Sequence, residues 1–335
     1  MVFVTDISVI IPAYNVSKFI SGTLDSLKAQ TFKDFEIIVV NDGSTDDTLE
    51  RIRSFKSEFT NEMILIDQKN SGVSRSRNAG IEISRGRYIC FIDGDDTVEP
   101  DYLQLMYERI TSDDSDMCYC GYREVLTDGT VYKRYPERYK YSDGIINGKN
   151  ILEKYLRGET YMYIWSIIFK RELIFSNNIR FRKDISYGED QIFNFQALAK
   201  ADKVSCVKKE LINYLRHDSG TMQNLNNLKY LSILRSLYDL EKEFEKNKER
   251  KDILNALMYD KTVRTTIMIL TNWAAIGQRK KYDSLLSRNI IRNFLIRAFL
   301  SNPFKHYKNI IKSFLLLYFP EKCYNLYKNK KPVIF

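Results

Sequence analysis

Phe91-Ile92-Asp93-Gly94-Asp95-Asp96 joins an apolar run to three carboxylates around one glycine. Residues 88–92 predict a buried strand that ends at these acids. Carboxylates this close repel one another, so the cluster is stabilised when a cation neutralises it. Mg²⁺ and Mn²⁺ prefer oxygen ligands, and the phosphates of a substrate often complete their coordination. The motif therefore predicts a divalent-metal site at a strand end. The alternative is a solvated acidic turn before the helix that follows Pro100.

The first hundred residues alternate strands with helices. Helices are expected from Ser17 to about Gln30, from Ser44 onward, and over residues 72–84, with the two serines as caps. Apolar strands separated by helices predict a mostly parallel sheet covered on both faces. Ligands bind such sheets beyond the carboxyl ends of the strands. The strands are expected at residues 7–11, 35–40, 63–66 and 88–92.

The remainder of the chain predicts a mixed segment followed by helices. We place a boundary near Met222, which gives an α/β domain over residues 1–222 and a helical C-terminal region over residues 223–335. Further strands are expected at residues 118–126, 163–169 and 211–215, and further helices at residues 148–156, 191–199, 228–246 and 252–273.

Composition and cysteine usage indicate a globular protein of a reducing compartment. Hydrophobic residues make up 44% and charged residues 28% of the 335-residue chain, which is typical of a protein with a packed core. The five cysteines show no metal-binding or redox spacing. Residues 1–13 predict a strand rather than a signal peptide, and no apolar run approaches the length that spans a bilayer. We therefore expect a cytoplasmic location.

The positive charge is concentrated near the C-terminus. Residues 284–335 contain ten Lys or Arg and one acid, Glu321, so this segment has a net charge of +9, equal to that of the whole chain. Apolar and aromatic residues alternate with these basic ones, a pattern typical of a helix on anionic lipid. The pattern predicts peripheral attachment to the inner face of the cell membrane. The alternative is a helical subdomain with a solvated basic face, and the many aliphatic residues argue against nucleic-acid binding.

Two further loops at the same sheet edge are polar. Asn41-Asp42-Gly43-Ser44-Thr45-Asp46 follows a strand, and Asp42 could accept hydrogen bonds from a nucleobase or ribose. The alternative is an ordinary turn and helix cap. Arg75 and Arg77 lie in a first helical turn, where the helix dipole disfavours them. Arg77 is expected to pair with Asp93 or Asp42, either to position substrate or to dock the helix.

Four motifs in this order strongly resemble family 2 glycosyltransferases with the GT-A fold, which is Rossmann-like. The resemblance is dense over residues 7–105 and sparse to about residue 222. The motifs are Pro12-Ala13-Tyr14-Asn15, Asn41-Asp42-Gly43-Ser44-x-Asp46, Asn70-x-Gly72-x-Ser74-x-x-Arg77-Asn78-x-Gly80 and Asp93-x-Asp95-Asp96.

The resemblance implies a nucleotide-sugar donor, usually UDP-linked, and a Mn²⁺ or Mg²⁺ ion. Asp95 would ligate the metal on the diphosphate, and Asp93 would meet the ribose or the sugar. His217 or Arg216 would lie over the diphosphate, and we assign His217 to the metal; the alternative is a structural histidine. The other residues implied in nucleotide-sugar binding are Pro12, Ala13, Tyr14, Asn15, Asp42, Arg77 and Gly94.

Ser186-Tyr187-Gly188-Glu189-Asp190-Gln191 resembles the Glu-Asp motif of the family, whose aspartate acts as base. Displacement at an anomeric carbon needs a carboxylate that takes the proton of the acceptor hydroxyl. We assign Asp190 to that role and Glu189 to positioning it or contacting the acceptor. The alternative is a helix N-terminus with two acids that the dipole favours.

These expectations combine into an inverting, metal-dependent transferase that moves one sugar to a glycan or lipid-linked acceptor in surface-polysaccharide synthesis. The Gln-x-x-Arg-Trp motif of processive family members is missing from the sequence, which favours one sugar per encounter. The alternative is a non-catalytic sugar-nucleotide-binding subunit of an assembly, and a homo-oligomer is compatible with either. A dinucleotide dehydrogenase is disfavoured because no G-x-G-x-x-G follows the first strand.

Overall fold

A nine-stranded mixed sheet organises the fold. The computed structural model describes residues 5–57, 59, 61–217, 231–300, 303–328 and 330–332. The strand order is β3-β2-β1-β4-β8-β6-β9-β5, and β7 pairs with β6 off this path. The strands are β1 (Thr5–Ala13), β2 (Phe35–Asn41), β3 (Met63–Asp67), β4 (Gly86–Phe91), β5 (Thr97–Val98), β6 (Met117–Leu126), β7 (Val131–Arg134), β8 (Ile167–Lys170) and β9 (Val204–Arg216).

The first four strands form the parallel half of the sheet. β1 pairs in parallel with β2 and β4, and β2 pairs in parallel with β3. Every residue of β2 is buried, as expected for a strand covered on both faces. The α/β fold class predicted from the apolar runs is therefore confirmed. Parallel pairing also brings the loops after β1, β2 and β4 to one edge.

The second half of the sheet contains the antiparallel pairings. β8 runs antiparallel to both β4 and β6, whereas β6 and β9 are parallel. The end of β9 pairs antiparallel with the short strand β5, directly after the acidic loop. This pairing carries the chain at residue 217 back to the carboxyl end of β4.

The helices of the first half begin later than the sequence predicts. α1 starts at Ile20 and α2 at Thr48, so the predicted caps Ser17 and Ser44 are wrong. The hydroxyl of Ser44 instead accepts a hydrogen bond from the backbone N–H of Asn15 at 3.1 Å. The helices are α1 (Ile20–Lys28), α2 (Thr48–Lys56), α3 (Val73–Ile83), α4 (Tyr102–Ser112), α5 (Gly148–Arg157), α6 (Arg171–Ser176) and α7 (Glu189–Lys200).

The strand predicted at residues 163–169 is wrong in its first half. Ile164–Ser166 forms a 3₁₀ turn, and only Ile167–Lys170 pairs as β8. Both the backbone N–H and the hydroxyl of Ser166 donate to the carbonyl of Tyr163, at 3.0 and 2.8 Å. The serine therefore gives the backbone a local partner that competes with the sheet.

Gly80 brings α3 close to the sheet. A Cβ atom at this position would lie 2.4 Å from Cγ2 of Ile10 on β1, so only glycine fits without a shift. The close approach fixes the first turns of α3, including Arg77, relative to the strand ends.

The chain divides into two compact units. Unit 1 comprises Met1–Leu152, Glu159–Lys183 and Glu189–His217, and unit 2 comprises Glu153–Gly158, Asp184–Gly188 and Asp218–Phe335. The predicted boundary at Met222 lies outside the described residues.

Unit 2 is built mainly of helices. None of the helices within the described ranges is long and apolar enough to cross a membrane. A π-helical segment, Ala256–Lys261, joins α9 to α10. The helices are α8 (Leu231–Lys246), α9 (Lys251–Asn255), α10 (Thr262–Ala275), α11 (Arg279–Leu286), α12 (Asn289–Ile296), α13 (Pro303–Tyr318) and α14 (Pro320–Tyr327).

Candidate active site

The three acids after β4 lie in different environments. Asp96 is fully buried, and its Oδ1 accepts a hydrogen bond from the backbone N–H of Leu215 at 3.0 Å. Burial, together with the charges of Asp95 and Asp93, raises the pKa of Asp96 well above its usual range. The side chains of Asp93 and Asp95 are 30% and 26% exposed. Asp96 therefore ties the acidic loop to β9, and the other two carboxylates face outward.

Asp95 and His217 form a pair of potential metal ligands. Nε2 of His217 lies 2.9 Å from Oδ2 of Asp95, and the imidazole packs on Phe19 with ring centroids 4.3 Å apart. Among the described residues, no three His, Cys, Asp or Glu side chains converge into a complete metal site. A carboxylate and an imidazole nonetheless fit a divalent cation whose remaining ligands are substrate phosphates and water. The structure thus places the two predicted metal residues together.

Arg77 joins the acidic loop to the Glu-Asp motif. Its side chain is 5% exposed, and its two terminal nitrogens donate to Asp93 at 2.7 Å and to Glu189 at 3.0 Å. The guanidinium lies over the ring of Phe181, 5.2 Å from the centroid. Burial alone would lower the pKa of Arg77, but the charges of Asp93 and Glu189 outweigh it, so the pKa is raised. The predicted pairing with Asp93 is present, and Asp42 has other partners.

Asp42 orders the loop between β3 and α3. Its carboxylate accepts hydrogen bonds from Nε2 of Gln68 at 2.7 Å, from the backbone N–H and hydroxyl of Ser71 at 2.9 and 3.1 Å, and from the backbone N–H of Gly72 at 2.8 Å. Burial acts to raise the pKa of Asp42, but these hydrogen bonds outweigh it and leave the pKa lowered. Both oxygens are therefore engaged in fixing the protein backbone.

The loop after β1 supplies an exposed aromatic ring. Tyr14 is 48% exposed, whereas Ala13 is buried at the strand end. Asn15 adopts a left-handed backbone with φ of 52°, and its Oδ1 accepts a hydrogen bond from the backbone N–H of Thr45 at 2.8 Å. A Cβ atom at Gly94 would lie 3.3 Å from the carbonyl oxygen of Pro12. The loops after β1, β2 and β4 therefore contact one another at this edge.

Asp190 has the properties of a proton acceptor near neutral pH. It lies in the first turn of α7, directly after Glu189. Burial, reinforced by the charge of Glu189, raises the pKa of Asp190 to about 7, although Arg77 opposes the shift. A general base works best when its pKa lies near the operating pH. The site thus combines a carboxylate–imidazole pair, Asp95 and His217, with one carboxyl group, Asp190, whose pKa is raised to about 7.

Comparison with known proteins identifies the family. The model of glycosyl transferase family 2 matches residues 8–174. EpsH of Bacillus subtilis (strain 168), named as a glycosyltransferase, is 30% identical over 297 residues, which cover 85% of this chain and 82% of EpsH. The chain belongs to glycosyl transferase family 2. It is therefore a transferase enzyme, and the non-catalytic alternative is not favoured.

Two solved structures share the GT-A fold of this glycosyltransferase. TarS 1-349 of Staphylococcus aureus, in complex with UDP-GlcNAc, matches with a TM-score of 0.71 at 19% identity and covers 96% of this chain and 92% of that one. The mannosyltransferase PcManGT of Pyrobaculum calidifontis, in complex with GDP-Man and Mn²⁺, matches with a TM-score of 0.53 at 16% identity, covering 95% and 88%. In sequence TarS, a poly(ribitol-phosphate) beta-N-acetylglucosaminyltransferase, is 26% identical over 215 residues, which cover 64% of this chain and 36% of TarS.

Two residues of the glycosyltransferase site were missed by sequence reasoning. Gln68 holds Asp42, and Phe181 lies under Arg77. The amide of Asn78 exchanges two hydrogen bonds with the backbone of Phe181, at 2.8 and 2.9 Å, across 103 positions of sequence. Gln68 borders the Asn70 motif and could have been suspected. Phe181 could not, because no local spacing relates it to α3.

We expect Arg77→Met to destabilise the glycosyltransferase by about 3 kcal/mol, because it leaves Asp93 and Glu189 without their buried partner. Arg75→Met is the matched control, since Arg75 is exposed on the same helix and surface changes usually stay within about 0.5 kcal/mol. Urea unfolding measures both variants. Equal free energies of unfolding for Arg77→Met and Arg75→Met would show that the ion pairs of Arg77 contribute nothing to stability.

Proposed function

We propose that this glycosyltransferase is an inverting, metal-dependent enzyme that moves one sugar from a UDP-sugar to a glycan or lipid-linked acceptor in the synthesis of a surface polysaccharide. The observation that carries the proposal is the Arg77 bridge. It joins the loop of the Asp95–His217 pair to the helix that presents Asp190. Donor-side and acceptor-side groups are thereby held at one edge of the sheet.

The donor side suits a nucleoside diphosphate sugar. Exposed Tyr14 offers a ring face for the base, and Asp93 offers a carboxylate for ribose or sugar hydroxyls. Asp95 and His217 would hold Mn²⁺ or Mg²⁺, and the bound cation would neutralise the charge that develops on the departing diphosphate. UDP is favoured over other nucleotides because TarS, whose fold this chain shares, binds UDP-GlcNAc.

The transfer step is a single displacement in which the acceptor hydroxyl replaces the diphosphate. The acceptor oxygen attacks the anomeric carbon as the bond to the diphosphate oxygen breaks, and the hydroxyl proton passes to Asp190. A single displacement inverts the anomeric configuration. Glu189, held by Arg77, positions the first turn of α7 so that Asp190 faces the acceptor. A polymeric acceptor rich in hydroxyl groups is supported by the name of TarS, a poly(ribitol-phosphate) beta-N-acetylglucosaminyltransferase.

Unit 2 exposes an apolar stripe along one helix, which supports a peripheral membrane location. Tyr307, Ile311, Phe314 and Tyr318 recur at helical spacing along α13, and each is between 45% and 64% exposed. Leu316, on the other side of the helix, is fully buried. α13 therefore packs within unit 2 and still presents an apolar face, so packing and lipid binding are compatible.

Basic groups border this stripe. Nζ of Lys308 lies 5.9 Å from the ring centroid of Tyr307, and Nζ of Lys322 lies 5.4 Å from that of Phe319. Arg297 is different, since it pairs with the buried Glu241 at 2.7 Å and stabilises the helical packing. Most of the described Lys and Arg side chains after residue 284 are exposed. Each basic residue close to anionic lipid contributes about 1 kcal/mol to the free energy of membrane binding.

We expect Asp95→Ala and His217→Ala each to weaken Mn²⁺-dependent UDP binding by about tenfold or more, because each removes a metal ligand. Calorimetry with UDP, with and without MnCl₂, measures the effect. Asp128→Ala, an exposed acid in the turn after β6, is the control and should bind like the parent. Undiminished metal-dependent affinity in the Asp95 variant would refute the metal assignment.

We expect Asp190→Asn to lower the release of UDP from UDP-GlcNAc by about 10²–10⁴-fold, since the amide cannot accept a proton. In the parent, the rate should rise with pH to about 7 and then level off, because Asp190 acts only when deprotonated. Asp202→Asn, which follows the other end of α7, is the control. More than about half the parent rate in the Asp190 variant would show that another group is the base.

A single displacement should also invert the anomeric configuration of the transferred sugar, and NMR of a transfer product measures this.

We expect the full chain to pellet with anionic phosphatidylglycerol vesicles and much less with neutral phosphatidylcholine vesicles, and high salt should weaken this binding. Replacing both Ile311 and Phe314 by Asp should reduce pelleting, because it places charge on the apolar stripe. Ile145→Asp is the matched control, since Ile145 is 48% exposed in unit 1. If the double variant pellets like the parent, α13 is not the attachment surface.

A further inference from the structure

An apolar cavity of about 160 Å³ lies within unit 2. Its walls include buried side chains of three helices: Leu234 of α8, Leu285 of α11, and Ile291 and Phe294 of α12. The ring of Tyr238, another residue of the lining, meets that of Phe294 at a centroid distance of 6.4 Å. Hydrocarbon and aromatic groups therefore bound most of the cavity.

The size and the lining of the cavity suit a hydrocarbon group. An apolar cavity of roughly 150 Å³ accepts a molecule as large as benzene, and it offers water few hydrogen-bond partners. Side chains around an unfilled cavity lose dispersion contacts, which a bound hydrocarbon group restores. The described residues that line this cavity include no Asp or Glu. The walls therefore favour an alkyl chain over a polar ligand.

The cavity opens at the surface of unit 2, where it meets positive charge. Ile290, in the first turn of α12, belongs to the lining and is 47% exposed. Arg235 and Arg288 belong to the lining as well, and both are exposed. Arginine stems pack along apolar surface while the guanidinium group stays in water. Apolar walls therefore lead outward to two guanidinium groups.

These two arginines, Arg235 and Arg288, have no acidic partner among the residues that the structure describes. Arg297, in the same unit, instead pairs with the buried Glu241 at 2.7 Å. A guanidinium group presents a planar fork of donors that matches the oxygens of a phosphate. Two unpaired cations beside an apolar cavity are thus complementary to a molecule that carries both a hydrocarbon chain and a phosphate.

An anionic phospholipid combines these two features. We propose that the cavity holds part of one acyl chain of an anionic phospholipid, whose phosphate binds Arg235 and Arg288. A bilayer lipid is favoured over a soluble amphiphile because the same unit exposes the apolar stripe of α13. The inference rests on the proposed membrane location, because it names the lipid and the site at which unit 2 binds it.

Soluble lysolipids test the proposal by calorimetry on the full chain, below the concentration at which they form micelles. Lauroyl lysophosphatidylglycerol should bind saturably. Lauroyl lysophosphatidylcholine has the same chain, but its choline offsets the phosphate charge, so it should bind about tenfold more weakly. Glycerol phosphate, which has no chain, should not bind. Equal binding of the two lysolipids, or binding of neither, overturns the proposal. Tighter binding of farnesyl phosphate than of either lysolipid overturns it in favour of an isoprenoid phosphate.

A substitution at the mouth of the cavity tests where the chain enters. Ile290→Asp should weaken the binding of lysophosphatidylglycerol by about tenfold or more, because a carboxylate there repels the headgroup and disfavours hydrocarbon. Ile296→Asp is the matched control, since Ile296 is also 47% exposed on α12 and does not line the cavity. Equal affinities of the two variants would overturn the assignment of the lipid to this cavity.

The arginines are tested by the preference for the anionic lysolipid. In Arg235→Gln/Arg288→Gln, the affinity for lysophosphatidylglycerol should fall close to that for lysophosphatidylcholine, because the mouth then carries no cation to bind the phosphate. Arg292→Gln, exposed on α12 and outside the lining, should keep the preference of the parent. A preference that survives in the double variant would overturn the headgroup assignment.

Vesicle binding separates this inference from the proposed membrane location. If phosphatidylglycerol vesicles pellet the parent but lysophosphatidylglycerol does not bind it, the cavity assignment is wrong and the membrane location stands. Saturable binding of the lysolipid to a parent that does not pellet with vesicles would support the cavity site and count against the membrane location.

Discussion

The buried guanidinium of Arg77 is the interaction on which the rest of the site depends. It pairs with acids 16 and 112 positions away in sequence, one in the loop after β4 and one at the start of α7. A buried ion pair offsets its desolvation cost only when its geometry is tightly held. That geometry comes from Gly80, which lets α3 approach β1, and from Phe181, which supports the guanidinium from below.

Burial, rather than sequence position, distinguishes the acidic residues of the site. Asp93 is neutralised by Arg77, Asp95 faces His217, and Asp96 is enclosed beside β9. Glu189 pairs with Arg77 at 3.0 Å, whereas burial and the charge of Glu189 raise the pKa of the neighbouring Asp190 to about 7. Neighbouring carboxyl groups therefore differ in their partners, and the pKa values of Asp96 and Asp190 are raised by burial and nearby charge.

The two halves of the sheet contribute different parts of the glycosyltransferase. The parallel strands collect the polar loops 12–15, 41–46 and 93–96 at one edge. The antiparallel pairing of β5 with β9 then returns the chain to that edge, where it places His217 beside Asp95. The mixed topology thus brings residues more than a hundred positions apart into contact at one edge of the sheet.

The sequence by itself determined the parallel half of the sheet, the order of the motifs and the family. Apolar runs ended by glycine and aspartate are local signals, and strand burial follows directly from them. The partners of Arg77, the structural roles of Asp42 and Asp96, and the stacking of Tyr163 on Trp165 were decided only by the tertiary structure. The physical reason is that pairing and burial depend on which distant segments meet, and residue type alone does not specify which of several nearby acids loses its contact with water.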